Sequence, residues 1–109
     1  PYESRVVADV AFGPVLRLMR FVTVYEVVRR ANASSYGLAG SVWSRDLDQA
    51  VQIAQRLETG NVYINESFYL SPDAPFAGHK QSGFGVEMGE DGLLSFTQPQ
   101  TLMIRQDVF

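Results

Sequence analysis

The sequence predicts an α/β fold: a three-layer parallel sheet in the order strand, helix, strand, helix, strand, followed by a long loop and a terminal strand. Three observations predict it. Two segments carry helical periodicity behind capping residues. Short apolar runs of strand length lie before, between and after them. The connections are far longer than a hairpin turn and suit helical crossovers, which favour right-handed parallel pairing. All of this falls within 109 residues, the length of one domain with a modest core.

The elements follow in order. Residues 1–6 carry no pattern. Pro14–Val22 (PVLRLMRFV) is rich in apolar and β-compatible residues and reads as the first strand. Thr23 and Glu26 have the capping-box spacing, in which each side chain satisfies an orphan amide at the helix start. Val24, Val27, Val28 and Ala31 then stand at i, i+3, i+4 and i+7, one helix face, which Asn32 and Ser34–Gly37 end. Leu38–Ser44 (LAGSVWS) is a short apolar run that reads as a strand buried on both faces. Asp46 caps the second helix, with Gln49 three residues on. Leu47, Ala50, Val51, Ala54 and Leu57 form its apolar stripe. Gly60 stands where a left-handed C-terminal cap is expected. Asn61–Asn65 (NVYIN) is the third strand. The pattern then stops for about 25 residues, a length more often functional or partner-bound than idle. Asp91–Gln98 reads as one short helical piece, and Thr101–Phe109 as a final strand.

Composition narrows the function. Apolar residues make up 46% of the chain and charged residues 19%, an ordinary globular balance. The net charge of −3 and the absence of a basic run argue against nucleic acid as a partner. The longest apolar runs are far short of a membrane span, and no signal peptide is visible at the start. There is no cysteine, which excludes disulfides, thiolate metal sites and a cysteine nucleophile in this chain. That absence fits a cytoplasmic, reducing location.

Ala74–Gly92 (APFAGHKQSGFGVEMGEDG) holds five glycines, two phenylalanines and the single histidine, His79. Gly78 and Gly83 have the spacing of the P-loop glycines. Phe84 and Gly85 follow instead of Lys and Ser or Thr, so the lysine and the magnesium-binding hydroxyl are both missing. Gly83 and Gly85 open a dinucleotide fingerprint, but Met88 stands at its third glycine. Both phosphate motifs therefore fail, and a small nucleotide-binding protein is disfavoured. The glycines themselves point to positive φ or close backbone approach.

Five stretches together resemble the C-terminal part of the aldehyde dehydrogenase superfamily. They are FGPVL (Phe12–Leu16), ANASSYGLAGSVWSRDLDQA (Ala31–Ala50), GNVYIN (Gly60–Asn65), APFAGHKQSGFG (Ala74–Gly85) and EMGEDGLLSFTQ (Glu87–Gln98). Order and spacing match from about residue 9 to the end, which corresponds to roughly the last fifth of a full-length member. The resemblance implies NAD- or NADP-dependent oxidation of an aldehyde to a carboxylic acid. A cysteine attacks the aldehyde, the thiohemiacetal gives hydride to the nicotinamide, and a glutamate-activated water releases the acid. In the family the cysteine, the base and the nucleotide-binding domain lie upstream. The resemblance thus assigns no catalytic residue to this chain and expects no activity and no cofactor binding from it alone.

Residue by residue, the resemblance implies the following. Val10 stands where a ribose-binding glutamate is expected, and a valine accepts no hydrogen bond from a ribose hydroxyl. Two readings stand: a lost cofactor contact, or a divergent chain edge. Phe12 and Leu38 match residues packed near the nicotinamide and its ribose, against the alternative of plain core packing. Phe76 matches an aromatic of the aldehyde tunnel. Asn65 ends the third strand and braces the loop. Residues 66–92 form the substrate-tunnel loop, whose Phe68, Tyr69 and Leu70 suggest an apolar or aromatic aldehyde. His79 reads as a solvated loop histidine. No firm metal site is implied. In some relatives backbone carbonyls at the positions of Lys80 and Gly83 hold a monovalent cation. Residues 101–109 match the oligomerisation strand, so the implied partners are a second copy of the chain or an upstream aldehyde dehydrogenase domain, with neither nucleic acid nor membrane.

Two functional classes follow. In the first, the chain is a partial catalytic domain, inactive unless joined to the rest. The retained loop from Phe76 to Gly92 and a chain start inside the family fold favour it. In the second, it is a stand-alone, non-enzymatic module that self-associates or regulates a relative, which Val10 favours.

Overall fold

The computed structural model describes residues 5–9 and 11–107. A four-residue helix, α1 (Arg5–Ala8), precedes an extended stretch. Helix α2 (Val24–Asn32) starts where its cap predicts. Thr23 is extended, and its hydroxyl accepts from Glu26 N at 3.1 Å. The Glu26 carboxylate reaches one residue further back than the box requires, accepting from Val22 N at 2.8 Å and pairing with Arg30. Arg30 in turn donates to the Arg20 carbonyl at 2.9 Å, so this network ties residues 20–22 to the helix.

This network carries a pH prediction. The Val22 amide, then Arg30 and the Thr23 amide, hold the Glu26 carboxyl below its ordinary value of 4.5, against an opposing desolvation effect. A folded-state value below the unfolded one gives stability that is present above the ordinary carboxylate range and lost as pH falls through the lowered value. Hydrogen-exchange protection of residues 24–30 should therefore decline below about pH 4.5. Glu26→Gln should be less protected at neutral pH and should show little of that decline.

After α2 come two short strands, β1 (Tyr36–Gly37) and β2 (Ala39–Val42). Asp46 caps α3 (Leu47–Ala54), its carboxylate accepting from Gln49 N at 3.0 Å. Strand β3 (Asn61–Ile64) pairs with β2 in parallel, from Ala39 opposite Asn61 to Val42 opposite Ile64. Helix α3 packs on this pair, with Ala50 fully buried. The loop beyond contains β4 (Phe76–Ala77), β5 (His79–Lys80), β6 (Val86–Glu87) and α4 (Gly89–Leu94). Strand β5 pairs antiparallel with β1, and β4 with β6, giving three two-stranded sheets among the described residues.

Several expectations need correction. Residues 14–22 form no strand, because nothing in the described chain supplies a ladder to them. The same holds for 101–107, so the parallel sheet has two strands here rather than three. Strand β2 is not buried on both faces: Ala39 and Ser41 are exposed, since α3 does not enclose the pair. Helix α3 closes without Gly60. Gln55 N donates to Val51 O at 3.0 Å and Leu57 N to Ala54 O at 3.1 Å, tightening the last turn. The short helix starts at Gly89, before the expected Asp91.

The core is small. Among the described residues Val28 and Ala50 are the buried hydrophobic ones, while Phe12, Leu18, Phe84, Phe96 and Met103 are almost wholly exposed. The Cα radius of gyration is 19.8 Å, against about 13 Å for a compact domain of this length. Large apolar faces that a full domain would cover lie open.

Candidate functional site

The end of β3 and the loop after it build a concave surface. Asn65 closes β3 in the left-handed region, φ 54°. Its side chain holds Ser44 from both sides: Oδ1 accepts from Ser44 N at 2.8 Å, and Nδ2 donates to Ser44 O at 2.9 Å. The end of β3 is thus pinned to the segment that follows β2. Asn is well suited here, since it tolerates left-handed backbone and supplies both a donor and an acceptor. Asn65→Ala should cost about 2 kcal/mol, from two lost hydrogen bonds and backbone strain. Asn65→Gly should cost less, because it removes the strain. Amide hydrogen exchange across β2 and β3 in the two variants checks the order.

Between β3 and the loop lies a cavity of about 260 Å³, lined by Gly60, Tyr63, Leu70, Ala74, Pro75 and Phe76 among others. Phe68 meets Phe76 edge to face, with ring centroids 6.0 Å apart and planes at 88°, a favoured aromatic geometry. Phe68 has φ 48°, a strained conformation for a bulky side chain. Of the expected site residues, Phe68, Leu70 and Phe76 therefore come together. The Asn65 side chain is tied to Ser44 after β2, and these bonds reach no residue of the 66–92 loop.

Leu38 lies elsewhere, in an apolar groove of about 610 Å³ shared with Phe21, Val27, Trp43 and Ile53. It is 43% exposed, and Phe12 is fully exposed. Val10 falls outside the described residues.

The tip of the loop is anchored by Lys80. Its backbone is left-handed, φ 54°, and Nζ donates to the carbonyls of Asn32 at 2.7 Å and Ser34 at 3.2 Å. It also pairs with Glu58 at 2.8 Å. An ammonium at a helix C-terminus satisfies orphan carbonyls and the local dipole. Asn32 adds two bonds, donating to Arg56 O at 2.8 Å and accepting from Glu58 N at 2.9 Å. Gly83 N donates to Lys80 O at 3.5 Å across the tight turn. Two carbonyls of one turn, one already accepting, do not make a cation site by themselves. No cluster of three or more metal-ligating His, Asp or Glu side chains occurs among the described residues. His79 is exposed in β5.

Sequence reasoning missed two residues that hold the loop. Asn61 appeared only as the start of a strand, although asparagine is depleted in strands, and that depletion was the available signal. Gly60 appeared as a cap but is needed for close approach: a Cβ there would lie 1.8 Å from the Ala77 carbonyl oxygen.

Comparison with known proteins matches this arrangement to one family. The model of the aldehyde dehydrogenase family matches residues 1–102. Aldehyde dehydrogenase LUC3 of a Fusarium species is 46% identical over 102 residues, covering 94% of this chain and 22% of that protein. Cytosolic aldehyde dehydrogenase 1 of Rattus norvegicus is 41% identical over 103 residues, covering 94% and 21%. Among solved structures, betaine aldehyde dehydrogenase of Staphylococcus aureus in complex with NAD+ aligns with a TM-score of 0.84 at 41% identity, over 88% of this chain and 19% of that one. The NAD+ complex of an aldehyde dehydrogenase from Bacillus cereus aligns at 0.85 and 40%, over 90% and 20%. The chain spans about a fifth of the length of the curated relatives it matches, and these matches give no support to a stand-alone, non-enzymatic module. With the fold, the loop architecture and the sequence all converging, the chain belongs to the aldehyde dehydrogenase family.

Proposed function

We propose that this chain supplies the substrate-tunnel wall of an NAD(P)-dependent aldehyde dehydrogenase and is inactive without the remainder of the enzyme. The net reaction is aldehyde plus NAD(P)+ plus water to carboxylic acid plus NAD(P)H plus a proton. The carrying observation is the Phe68–Phe76 pair on a loop fixed to the sheet, with Phe76 and Leu70 lining one cavity. Such a wall excludes water and orients an apolar or aromatic aldehyde; it donates no proton and attacks no carbon. The nucleophile must come from outside this chain, which has no cysteine.

The cofactor reading is equally limited. A dinucleotide pyrophosphate favours a helix N-terminus free of negative charge. Here Glu26 and Asp46 occupy the starts of α2 and α3, and Glu90 and Asp91 that of α4. These residues do not fit a pyrophosphate, so the isolated chain retains no NAD(P). In the enzyme Leu38 contributes one apolar contact on the nicotinamide side. The extended 101–107 segment, with Leu102, Met103 and Ile104 exposed, is proposed as the pairing strand of a homo-oligomer. No helix of the described residues is long and apolar enough to cross a membrane. Relatives are named both cytosolic and mitochondrial; a cytoplasmic location is the proposal here.

The test joins residues 1–109 to the upstream four-fifths of a family relative and assays NAD(P)H formation. Activity is expected in the joined enzyme and none in the 109-residue chain. Phe76→Ala should lower kcat/KM for an aromatic aldehyde by about tenfold or more, as loss of pocket contacts does. An unchanged kcat/KM in Phe76→Ala would remove the tunnel assignment.

A further inference from the structure

Asn61 uses both hydrogens of its side-chain nitrogen. Nδ2 donates to the Ala77 carbonyl at 3.0 Å and to the Leu38 carbonyl at 3.2 Å. Its backbone N also donates to Leu38 O, at 3.1 Å. Ala77 directly follows Phe76 in β4, and its carbonyl is the group against which Gly60 leaves no room for a Cβ. One amide thus joins the backbone beside the aldehyde-side aromatic to the backbone of the nicotinamide-side leucine.

We infer that Asn61 is a positioning residue, which sets the span between the aldehyde wall at Phe76 and the cofactor contact at Leu38. The inference rests on the tunnel function proposed above. The chemistry selects asparagine. Two carbonyl oxygens facing one atom need two N–H donors on that atom, which a primary amide provides. A flipped amide would set an oxygen against two oxygens, so the orientation is fixed. Aspartate has the same shape but no donor. Threonine and serine have one. Asn61 also lines the Phe76 cavity, but both hydrogens of its Nδ2 are used on the two carbonyls, so its effect on either ligand passes through those contacts.

The test compares Asn61→Asp, Asn61→Thr and Phe76→Ala in the joined enzyme, with aldehyde KM, NAD(P) Kd and kcat measured for each. Asn61→Asp should raise both the aldehyde KM and the NAD(P) Kd by about tenfold, the scale of one lost hydrogen bond, with a smaller change in kcat. Asn61→Thr, which keeps one donor, should fall between Asp and the parent. Phe76→Ala should move the aldehyde KM alone. If Phe76→Ala acts and Asn61→Asp leaves both constants unchanged, the positioning role is overturned and the tunnel stands. If Phe76→Ala also does nothing, the tunnel itself is overturned. A second measurement needs no activity. In the joined enzyme the Asn61 side-chain protons should exchange with water about tenfold more slowly than those of exposed asparagines, as hydrogen-bonded amides do. Exchange at the exposed rate overturns the inference.

Discussion

Gly60→Ala is expected to push the loop off the sheet. The new Cβ would sit 1.8 Å from the oxygen and 2.7 Å from the carbon of the Ala77 carbonyl. Both are backbone atoms, so no side-chain rotation relieves the overlap. Gly60 itself cannot retreat freely, because its N–H donates to the Gly37 carbonyl at 3.0 Å. Either that bond breaks or β4 moves, and β4 carries Phe76. The expected cost is about 3 kcal/mol, at the upper end for overpacking. Gly13→Ala is the control, since nothing lies within 4 Å of its Cβ position. Hydrogen exchange across residues 76–80 should rise in Gly60→Ala and stay unchanged in Gly13→Ala. Equal behaviour of the two variants would mean that the close approach is absent in solution.

The second large effect concerns the chain by itself. With Val28 and Ala50 as its buried hydrophobic residues, it has little to drive a cooperative transition. Exposed Leu16, Leu18, Val22, Phe96 and Leu102 offer apolar surface to any partner. The isolated chain should bind a hydrophobic dye strongly, with emission enhanced by about tenfold, as loosely packed states do. Its urea m-value should fall below the usual range of about 1–3 kcal/mol/M. Native mass spectrometry should find dimers or larger species. Joining the upstream part should abolish dye binding. A sharp transition without dye binding would show that the chain covers these faces unaided.

Local signals were readable in the sequence wherever the structure is local. Thr23 and Asp46 mark helix starts through bonds three residues long, so α2 and α3 begin where their caps stand. Strands β2 and β3 flank α3, and each finds its partner across that one crossover. Elsewhere the determining contact is distant. The apolar run 14–22 has strand composition, but composition describes a surface fit for pairing and not the presence of a neighbour. The strands of the 66–92 loop are two residues long, too short to show a period of two. For the site, the family resemblance singled out Phe68, Leu70 and Phe76, and the structure brings Phe76 beside each of the other two; their role in a tunnel is the proposal. The Asn61 and Lys80 anchors were not read, because each binds backbone carbonyls distant in the chain, and the one local sign was an asparagine at a strand position.

The Lys80 anchor also orders events in time. Strand β2, helix α3 and strand β3 lie within residues 39–64, so their contacts close over short stretches and form early. Lys80 reaches back 48 residues to Asn32 and 46 to Ser34. Closing so long a loop carries an entropic cost that is offset only once its targets are already in place. During synthesis the helix C-terminus and the parallel pair would therefore exist before the loop that carries Lys80 docks on them. A ribosome paused once residue 64 has cleared its exit tunnel, with residue 80 still inside, would present an assembled scaffold without its docked loop.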